Sequence, residues 1–318
     1  MSLPDTAVTA LVTLTLNAGT TAVAVIAGVQ SQRLQPQVWL VLDSGSSDGT
    51  VQAFTQAGAD VVPVDRALFD HAATRQMAVD RLDGADAVVF MTQDAALADA
   101  DALGTLVACL EDPRIGVAYG RQVPRPGAGA IERHARLFNY PDAGAVHMMD
   151  DAARLGIKAA FCSNSFAAWR RSALLSVGGF PSPCILGEDM LTAARLLQAG
   201  YGVVYCADAH VVHSHALTAG GEARRYFDTG VMHVDNAWLL EAFGSAGGEG
   251  IRFVWSEVRY LATRGAVLRI PEALVRDVVK LAAYHLGRAY RLLPRDWCRR
   301  MSMNPGYWDH GRGDHATT

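Results

Sequence analysis

Short apolar runs alternate with amphipathic stretches along the first half of the chain. Leu11-Val12-Thr13-Leu14-Thr15-Leu16 is β-branched and apolar, then breaks at Asn17-Ala18-Gly19. Such a run, bounded by turn residues, predicts a buried strand. An alanine- and valine-rich stretch predicts a helix over about 20–33. Val38-Trp39-Leu40-Val41-Leu42 predicts the next strand, ending at Asp43-Ser44-Gly45-Ser46-Ser47-Asp48-Gly49-Thr50. The pattern continues with a helix over about 51–57, a strand over 60–64, a helix over about 71–82, a strand over 86–91, a helix over about 101–110 and a strand over 115–119. Short apolar runs between helical patterns predict parallel βαβ units with right-handed crossovers.

The stretch of about 121–160 is less regular and carries Pro124, Pro126 and Pro141, which predicts loops and short helices over a site. Regularity returns at Phe161–Trp169, followed by a helix over about 188–199 and strands at 201–206 and 209–213. The last third, about 221–300, reads mostly helical. The layout expected is one catalytic domain over 1–220 and a helical C-terminal extension over 221–318. In the first, about 1–120 would hold the ligand and about 121–220 the second substrate.

Composition narrows the class. The chain has 318 residues, half of them hydrophobic, and a net charge of −4. That is enough for one large domain or two modest ones. No basic stripe marks a nucleic-acid surface. Lysine occurs only at Lys158 and Lys280, and arginine, which suits forked phosphate contacts, carries the remaining basic charge. The five cysteines are scattered and form no CxxC pair, so neither a zinc site nor a disulfide framework is expected. A reducing cytoplasm fits them. The N-terminus shows no basic region before an apolar run, so no signal peptide is expected. No apolar run is long enough for a transmembrane helix.

The chemistry gathers where strands end. The run Ala87–Met91 stops at Thr92-Gln93-Asp94, which puts a carboxylate at the carboxyl edge of the sheet, where open α/β sheets bind their ligands. A carboxylate there can hold a divalent cation, and the cation a diphosphate; a turn or N-cap aspartate is the alternative. Asp43, after another strand, can accept hydrogen bonds from a pyrimidine or ribose, or shape a tight turn. Arg75, near a helix start, can reach a phosphate or orient a neighbouring acid. Glu188-Asp189 opens a helix, where the dipole keeps carboxylates ionised, and such a group can act as general base towards an acceptor hydroxyl. His213 and His215 end a strand two residues apart and so share a face; one neutral imidazole can complete the metal site of Asp94. Arg224-Arg225 can fork onto diphosphate oxygens, or sit on a solvated helix face.

These motifs, in this order, resemble family 2 glycosyltransferases, and within them the bacterial rhamnosyltransferase branch. The resemblance rests on Asp43-Ser44-Gly45-Ser46-Ser47-Asp48-Gly49, His71–Arg75, Thr92-Gln93-Asp94-Ala95, Gly120-Arg121-Gln122-Val123-Pro124, Ser163-Asn164-Ser165, Gly178-Gly179-Phe180, Glu188-Asp189, His213-Ser214-His215 and Arg225-Tyr226-Phe227-Asp228. It covers about 10–230, and the ending Leu292-Leu293-Pro294, Ser302-Met303 and Tyr307-Trp308 extends it. It implies a GT-A fold: an α/β, Rossmann-like domain with a mostly parallel central sheet flanked by helices. It also implies an inverting single displacement with a metal-bound nucleoside diphosphate. Asp43, Ser44, Gly45, Arg75, Gln93, Arg224 and Arg225 would hold the nucleotide-sugar. Asp94 with His213, in preference to His215, would hold Mg²⁺ or Mn²⁺. Asp189, with Glu188 beside it, would be catalytic. The usual Asp-x-Asp appears here as Thr92-Gln93-Asp94, with one carboxylate missing, as the rhamnosyl-type branch also carries it. The donor implied is dTDP-L-rhamnose, with UDP-sugars as the alternative. The acceptor would be a hydroxyl of a cell-surface glycan or a lipid-linked oligosaccharide.

Two rival classes remain open on sequence: a nucleotidyltransferase and a non-catalytic sugar-nucleotide binder. The stretch Pro271–Arg300 adds one more expectation. Leu274, Val275, Val278, Val279, Ala282, Leu286 and Tyr290 fall at helical spacing, before a basic end of Arg288, Arg291, Arg295, Arg299 and Arg300. Such a helix lies on an anionic membrane, at the inner face of the plasma membrane, or packs on the catalytic domain or a partner.

Overall fold

The computed structural model describes residues 7–214, 217–245 and 248–309. Among these, nine strands form one sheet: β1 (Thr9–Thr15), β2 (Val38–Asp43), β3 (Asp60–Pro63), β4 (Ala87–Thr92), β5 (Ala96–Leu97), β6 (Ile115–Val123), β7 (Ala145–His147), β8 (Phe166–Arg170) and β9 (Gly202–Val212). Their spatial order is β3-β2-β1-β4-β8-β6-β9-β5, with β7 also pairing β9. β1, β2, β3 and β4 run parallel, and β9 runs parallel to β6. β8 is antiparallel to both β4 and β6, so β6 points the same way as β4. The sheet is therefore mostly parallel, with β8 inserted against the grain and the short β5 and β7 antiparallel to β9.

Alternate residues of the central strands enter two apolar layers. Val12, Leu42, Phe90 and Trp169 face one side, and Leu11, Val41, Val89 and Ala168 the other. A parallel sheet covered on both faces needs this near-continuous apolar reading, which is why the strands were legible. The first layer extends into the C-terminal helices through Phe227, Val231, Met232, Ala283, Tyr290 and Trp308. The helical end is thus built onto one face of the sheet.

Three departures from expectation have local causes. The two strands expected at 201–206 and 209–213 are one strand, β9, interrupted by a register shift. Gly120 faces Cys206 and Arg121 faces His210, so Ala207–Ala209 are extra residues. Such irregularities bend a strand and re-aim its end. The regular stretch read at Phe161–Trp169 becomes a strand only at Phe166, and within 121–160 a ten-residue helix, Ala130–Asn139, stands where only loops and short helices were expected.

The helix Ala219–Asp235 packs on the helix Ile270–Arg288 with small residues at the crossing. A Cβ on Gly287 would meet the carbonyl of Phe227, and one on Gly230 the carbonyl of Tyr284. Backbone cannot retreat as a side-chain tip can. Gly287→Ala is therefore expected to destabilise the fold by about 1–3 kcal/mol, the cost of overpacking. A melting temperature unchanged from the parent would show that the two helices separate freely.

Candidate active site

The register brings the chemistry to one edge. Thr15 pairs Asp43 and Leu14 pairs Thr92, so β1, β2 and β4 end together. β9 runs the same way and delivers His213 there, while antiparallel β8 begins at that edge, just after Asn164. A cleft of about 540 Å³ opens beside it. Its walls come from Leu14–Leu16, Ser44, Arg66–Ala67, Phe69–His71, Arg75, Thr92–Asp94, Cys184–Ile185 and Met303–Tyr307.

Asp43 is buried and shapes its own loop. Its Oδ2 accepts from the backbone N–H of Gly45 at 3.0 Å and of Ser46 at 2.8 Å, and its Oδ1 from the Ser46 hydroxyl at 2.5 Å. This geometry shapes the turn, and the adjoining Ser44 lines the cleft wall. Gly45, at φ 91°, supplies the left-handed step. Gln93 is also spent within the protein. Its Oε1 accepts from the Leu16 N–H at 2.7 Å and its Nε2 donates to the Leu16 carbonyl at 3.2 Å. It staples the end of β1 to the end of β4 and forms cleft floor. The buried Thr92 hydroxyl beside it finds no hydrogen-bond partner among the described residues.

Asp94 and His213 meet as their positions suggest, with Nε2 of His213 at 3.4 Å from Oδ1 of Asp94. The tautomer follows from the neighbours. Arg136 donates to Gln122 Oε1 at 2.5 Å, which identifies that atom as the amide oxygen. His213 Nδ1 lies 2.9 Å from the same oxygen and must donate to it. A neutral His213 therefore turns the lone pair of Nε2 towards a carboxylate oxygen. A nitrogen and a carboxylate oxygen side by side are a pair that one cation can bridge, and the chain from His213 to Gln122 to Arg136 fixes the ring as outer-shell hydrogen bonds do. His215 lies outside the described residues. Among those residues no cluster of three or more acidic, histidine or cysteine ligands occurs.

Glu188 and Asp189 start the helix Glu188–Gln198 on the left-handed Gly187. They divide the work that sequence had assigned to both. Glu188 is buried and pairs with Arg75 at 2.5 Å. Arg75 gives Glu188 its counter-charge through Nη1, while its buried Nε has no hydrogen-bond partner among the described residues and the side chain lines the cleft. Burial alone would raise the Glu188 pKa, but the Arg75 charge and the hydrogen bonds outweigh it and hold the carboxyl below its usual value. Asp189 points elsewhere. Its Oδ2 accepts from the Asn164 N–H at 3.0 Å and its Oδ1 from the Met190 N–H at 2.8 Å. Burial, with the negative charge of Glu188, pushes its pKa up to about 6.

Asn164 ties the two acids together. Besides its backbone contact to Asp189, its Nδ2 donates to Glu188 at 3.4 Å and its Oδ1 accepts from Trp169 Nε1 at 2.8 Å. Sequence placed Asn164 in a motif but gave it no role; a polar triplet just before a buried strand was the only signal. Arg136 and Tyr140 were missed outright, since they sit in the irregular middle. Both feel the charge of Arg225, and Tyr140 also that of Asp189. Of the paired arginines, both exposed, Arg225 is the one whose charge reaches Arg136, Tyr140 and Asp228.

The cleft also has a wall that sequence placed far away. Buried Asp228 accepts from the Met303 N–H at 2.8 Å, and Asn304 Nδ2 donates to the Ile185 carbonyl at 2.7 Å. Tyr307 donates to Asp235 at 2.9 Å. The segment Met303–Tyr307 is thereby strapped across the cleft.

The comparisons with known proteins agree with this geometry. The family described as Glycosyl transferase family group 2 matches residues 87–227. The O-antigen chain rhamnosyltransferase RfbN of Salmonella typhimurium is 44% identical over 297 residues, covering 93% of this chain and 94% of that protein. WbaN of Salmonella anatum, of the same description, is 42% identical over 281 residues, covering 88% and 89%. Among solved structures, the mannosyltransferase PcManGT from Pyrobaculum calidifontis, in complex with GDP-Man and Mn²⁺, superposes with a TM-score of 0.58 at 19% identity, covering 97% of this chain and 86% of that one. The S. aureus TarS 1-349 structure with UDP-GlcNAc gives a TM-score of 0.51 at 12% identity, covering 89% and 91%. The sheet order, the edge that carries Asp94 and His213, and these likenesses identify the fold as GT-A, and the chain belongs to glycosyl transferase family 2 as a glycosyltransferase.

Proposed function

We propose that this enzyme transfers L-rhamnose from dTDP-L-rhamnose to a hydroxyl of a growing O-antigen chain on a lipid carrier, with inversion at the anomeric carbon. The observation that carries the reading is the meeting, at one sheet edge, of the Asp94–His213 pair with an Asp189 that Asn164 holds apart from the Arg75–Glu188 pair. The extent of identity with the two Salmonella rhamnosyltransferases supports the choice of sugar and acceptor.

The residues fit a divalent cation, Mg²⁺ or Mn²⁺. Asp94 and His213 offer one oxygen and one nitrogen, and Mg²⁺ is commonly held by one or two carboxylates plus substrate phosphates, a part Asp94 can fill. When bound, the cation neutralises the charge that develops on the leaving diphosphate. Asp189 takes the proton from the acceptor hydroxyl as its oxygen bonds to the anomeric carbon. The bond from that carbon to the diphosphate breaks, and dTDP leaves. Arg225, whose charge reaches Arg136 and Tyr140, adds positive charge near the leaving group. Glu188 and Arg75 act through position and do not exchange protons with substrate.

A thermal-shift panel tests the donor assignment. dTDP, UDP, GDP and their sugar conjugates are each added with and without Mn²⁺. Ligand at a hundred times its Kd stabilises by about 2.7 kcal/mol. dTDP-rhamnose is expected to raise the melting temperature, more so with Mn²⁺, and Asp94→Ala is expected to lose the Mn²⁺-dependent part. Stabilisation by UDP-sugars alone would replace the donor. No response to any nucleotide would refute the donor site.

A further inference from the structure

The helix Ile270–Arg288 wears its polarity inside out. The charged residues of its middle turns, Arg276, Asp277 and Lys280, turn inward. Arg276 pairs with Glu222 at 2.9 Å, and Lys280 with Asp277 at 2.5 Å, the latter two side chains only 12% exposed. Lys280 also lies 4.9 Å above the Phe253 ring. The outward stripe is apolar: Leu274, Val275, Val278 (66% exposed), Leu281 and Leu286. These positions recur at the spacing of one helical face. The turn before this helix presents Leu268, 95% exposed, and the preceding helix Glu249–Thr263 presents Ile251 and Trp255, 72% exposed. Among the described residues nothing covers this surface. A soluble helix shows the opposite arrangement.

Charge selects the occupant. Between residues 249 and 300 the sequence holds eleven basic and five acidic residues, an excess of six positive charges in a chain whose net charge is −4. The remainder of the protein is therefore acidic, and the helical end alone is basic. Arg252, Arg259, Arg264, Arg288 and Arg291 are exposed on these helices and just beyond them. An apolar stripe bordered by like charge repels a second copy of itself and attracts an anionic bilayer, where each basic residue near the surface adds attraction. Exposed Trp255 and Trp297 suit the headgroup boundary, where an indole buries its ring and keeps its N–H wet. No helix among the described residues is long and apolar enough to cross a membrane, so the contact lies in the interface plane.

We infer that the helices Glu249–Thr263 and Ile270–Arg288 form a docking face for an anionic lipid surface, with Trp255, Leu268, Val275, Val278 and Leu281 entering the headgroup layer. A shallow groove of about 450 Å³ between Leu217–Ala219 and Pro271–Arg276 joins that face, through Val275, to the segment that follows His213. A lipid carrier lying in the bilayer would so have its glycan end beside the catalytic edge. That last step rests on the lipid-linked acceptor proposed above; the docking face itself does not.

Full-length protein sedimented with vesicles tests it. Vesicles of phosphatidylcholine containing phosphatidylglycerol should carry the protein down, those of phosphatidylcholine alone much less, and added salt should release it. Val278→Glu with Leu281→Glu should weaken binding roughly tenfold or more, since it removes apolar contact and adds repulsion. Both positions are exposed, so the melting temperature and the nucleotide-induced shift should stay at parent values. Binding that is equal in parent and variant, or absent in both, overturns the inference. A concentration-dependent dimer in ultracentrifugation that the same variant abolishes would overturn it too, and assign the face to a second copy. Because the nucleotide shift is read separately, loss of the donor reading and loss of the docking face leave different signatures.

Discussion

Replacing Asp189 by asparagine is expected to lower sugar transfer by about 10²–10⁴-fold, the usual contribution of a positioned general base, with donor binding left nearly intact. Asparagine keeps the size and still accepts from the Asn164 N–H that now holds Oδ2 at 3.0 Å, but it cannot take a proton. The pH profile gives an independent signature. A base works only when ionised, so with its pKa pushed up to about 6 by burial and by Glu188, kcat/KM should be flat above that value and fall tenfold per pH unit below it. Glu188→Gln removes the neighbouring negative charge that helps raise the pKa, so it should move this acid limb to lower pH. Two results would remove Asp189 from the role: near-normal turnover in Asp189→Asn, or an acid limb that survives in it. Thermal shifts with dTDP-rhamnose separate these from a folding defect.

Much of this site was legible because strands announce their own ends. Asp94 closes the polar triplet Thr92-Gln93-Asp94 that ends the run Ala87–Met91, His213 directly follows Val211-Val212, and parallel strands in register stop at the same edge. Two strand ends sufficed to predict a meeting that the structure places at 3.4 Å. The helix start at Glu188-Asp189 was legible for a similar reason, since acids follow a glycine turn. What sequence could not apportion was the division between neighbours. Glu188 and Asp189 are chemically alike, and only the third dimension gives one of them Arg75, which lies 113 positions away. Asp43, Gln93 and Arg75 are polar residues at a ligand-facing edge, the place where ligand contacts are expected. The structure spends the Asp43 and Gln93 contacts on loop backbone, because loops at such an edge have backbone groups to satisfy before any ligand arrives, and pairs Arg75 with Glu188. Arg136, Tyr140 and the Met303–Tyr307 strap were illegible for a different reason. They reach the site through tertiary packing of irregular or distant segments, and no periodicity records that. The nucleotidyltransferase and the non-catalytic binder, both open on sequence, are set aside by family membership.

The second large effect concerns stability. Arg75→Met is expected to destabilise the protein by about 3–5 kcal/mol, because removing one partner of a buried ion pair strands the other charge. Glu188 is buried, and besides Arg75 its carboxylate has Asn164 Nδ2 at 3.4 Å. That amide and the backbone N–H of Glu188 itself are neutral donors, poor substitutes for a guanidinium at 2.5 Å. At neutral pH the stranded Glu188 should take up a proton, so the loss should shrink as the pH is lowered towards the range where a carboxyl protonates anyway. For a chain of this size each kcal/mol moves the melting temperature by about 2–4 °C, which makes the drop roughly 10 °C at pH 7. Neutralising both partners together, as Arg75→Met with Glu188→Gln, should recover part of it, since replacing both members of a buried pair costs far less than orphaning one. A double-mutant cycle on melting data reads this coupling directly. The pair also holds the helix start that carries Asp189, so Arg75→Met should lower kcat even where the protein is fully folded, while the double variant keeps the geometry better than the single. A single variant that melts within a degree or two of the parent would mean that Glu188 finds its counter-charge elsewhere, and that Arg75 is free to meet the donor after all.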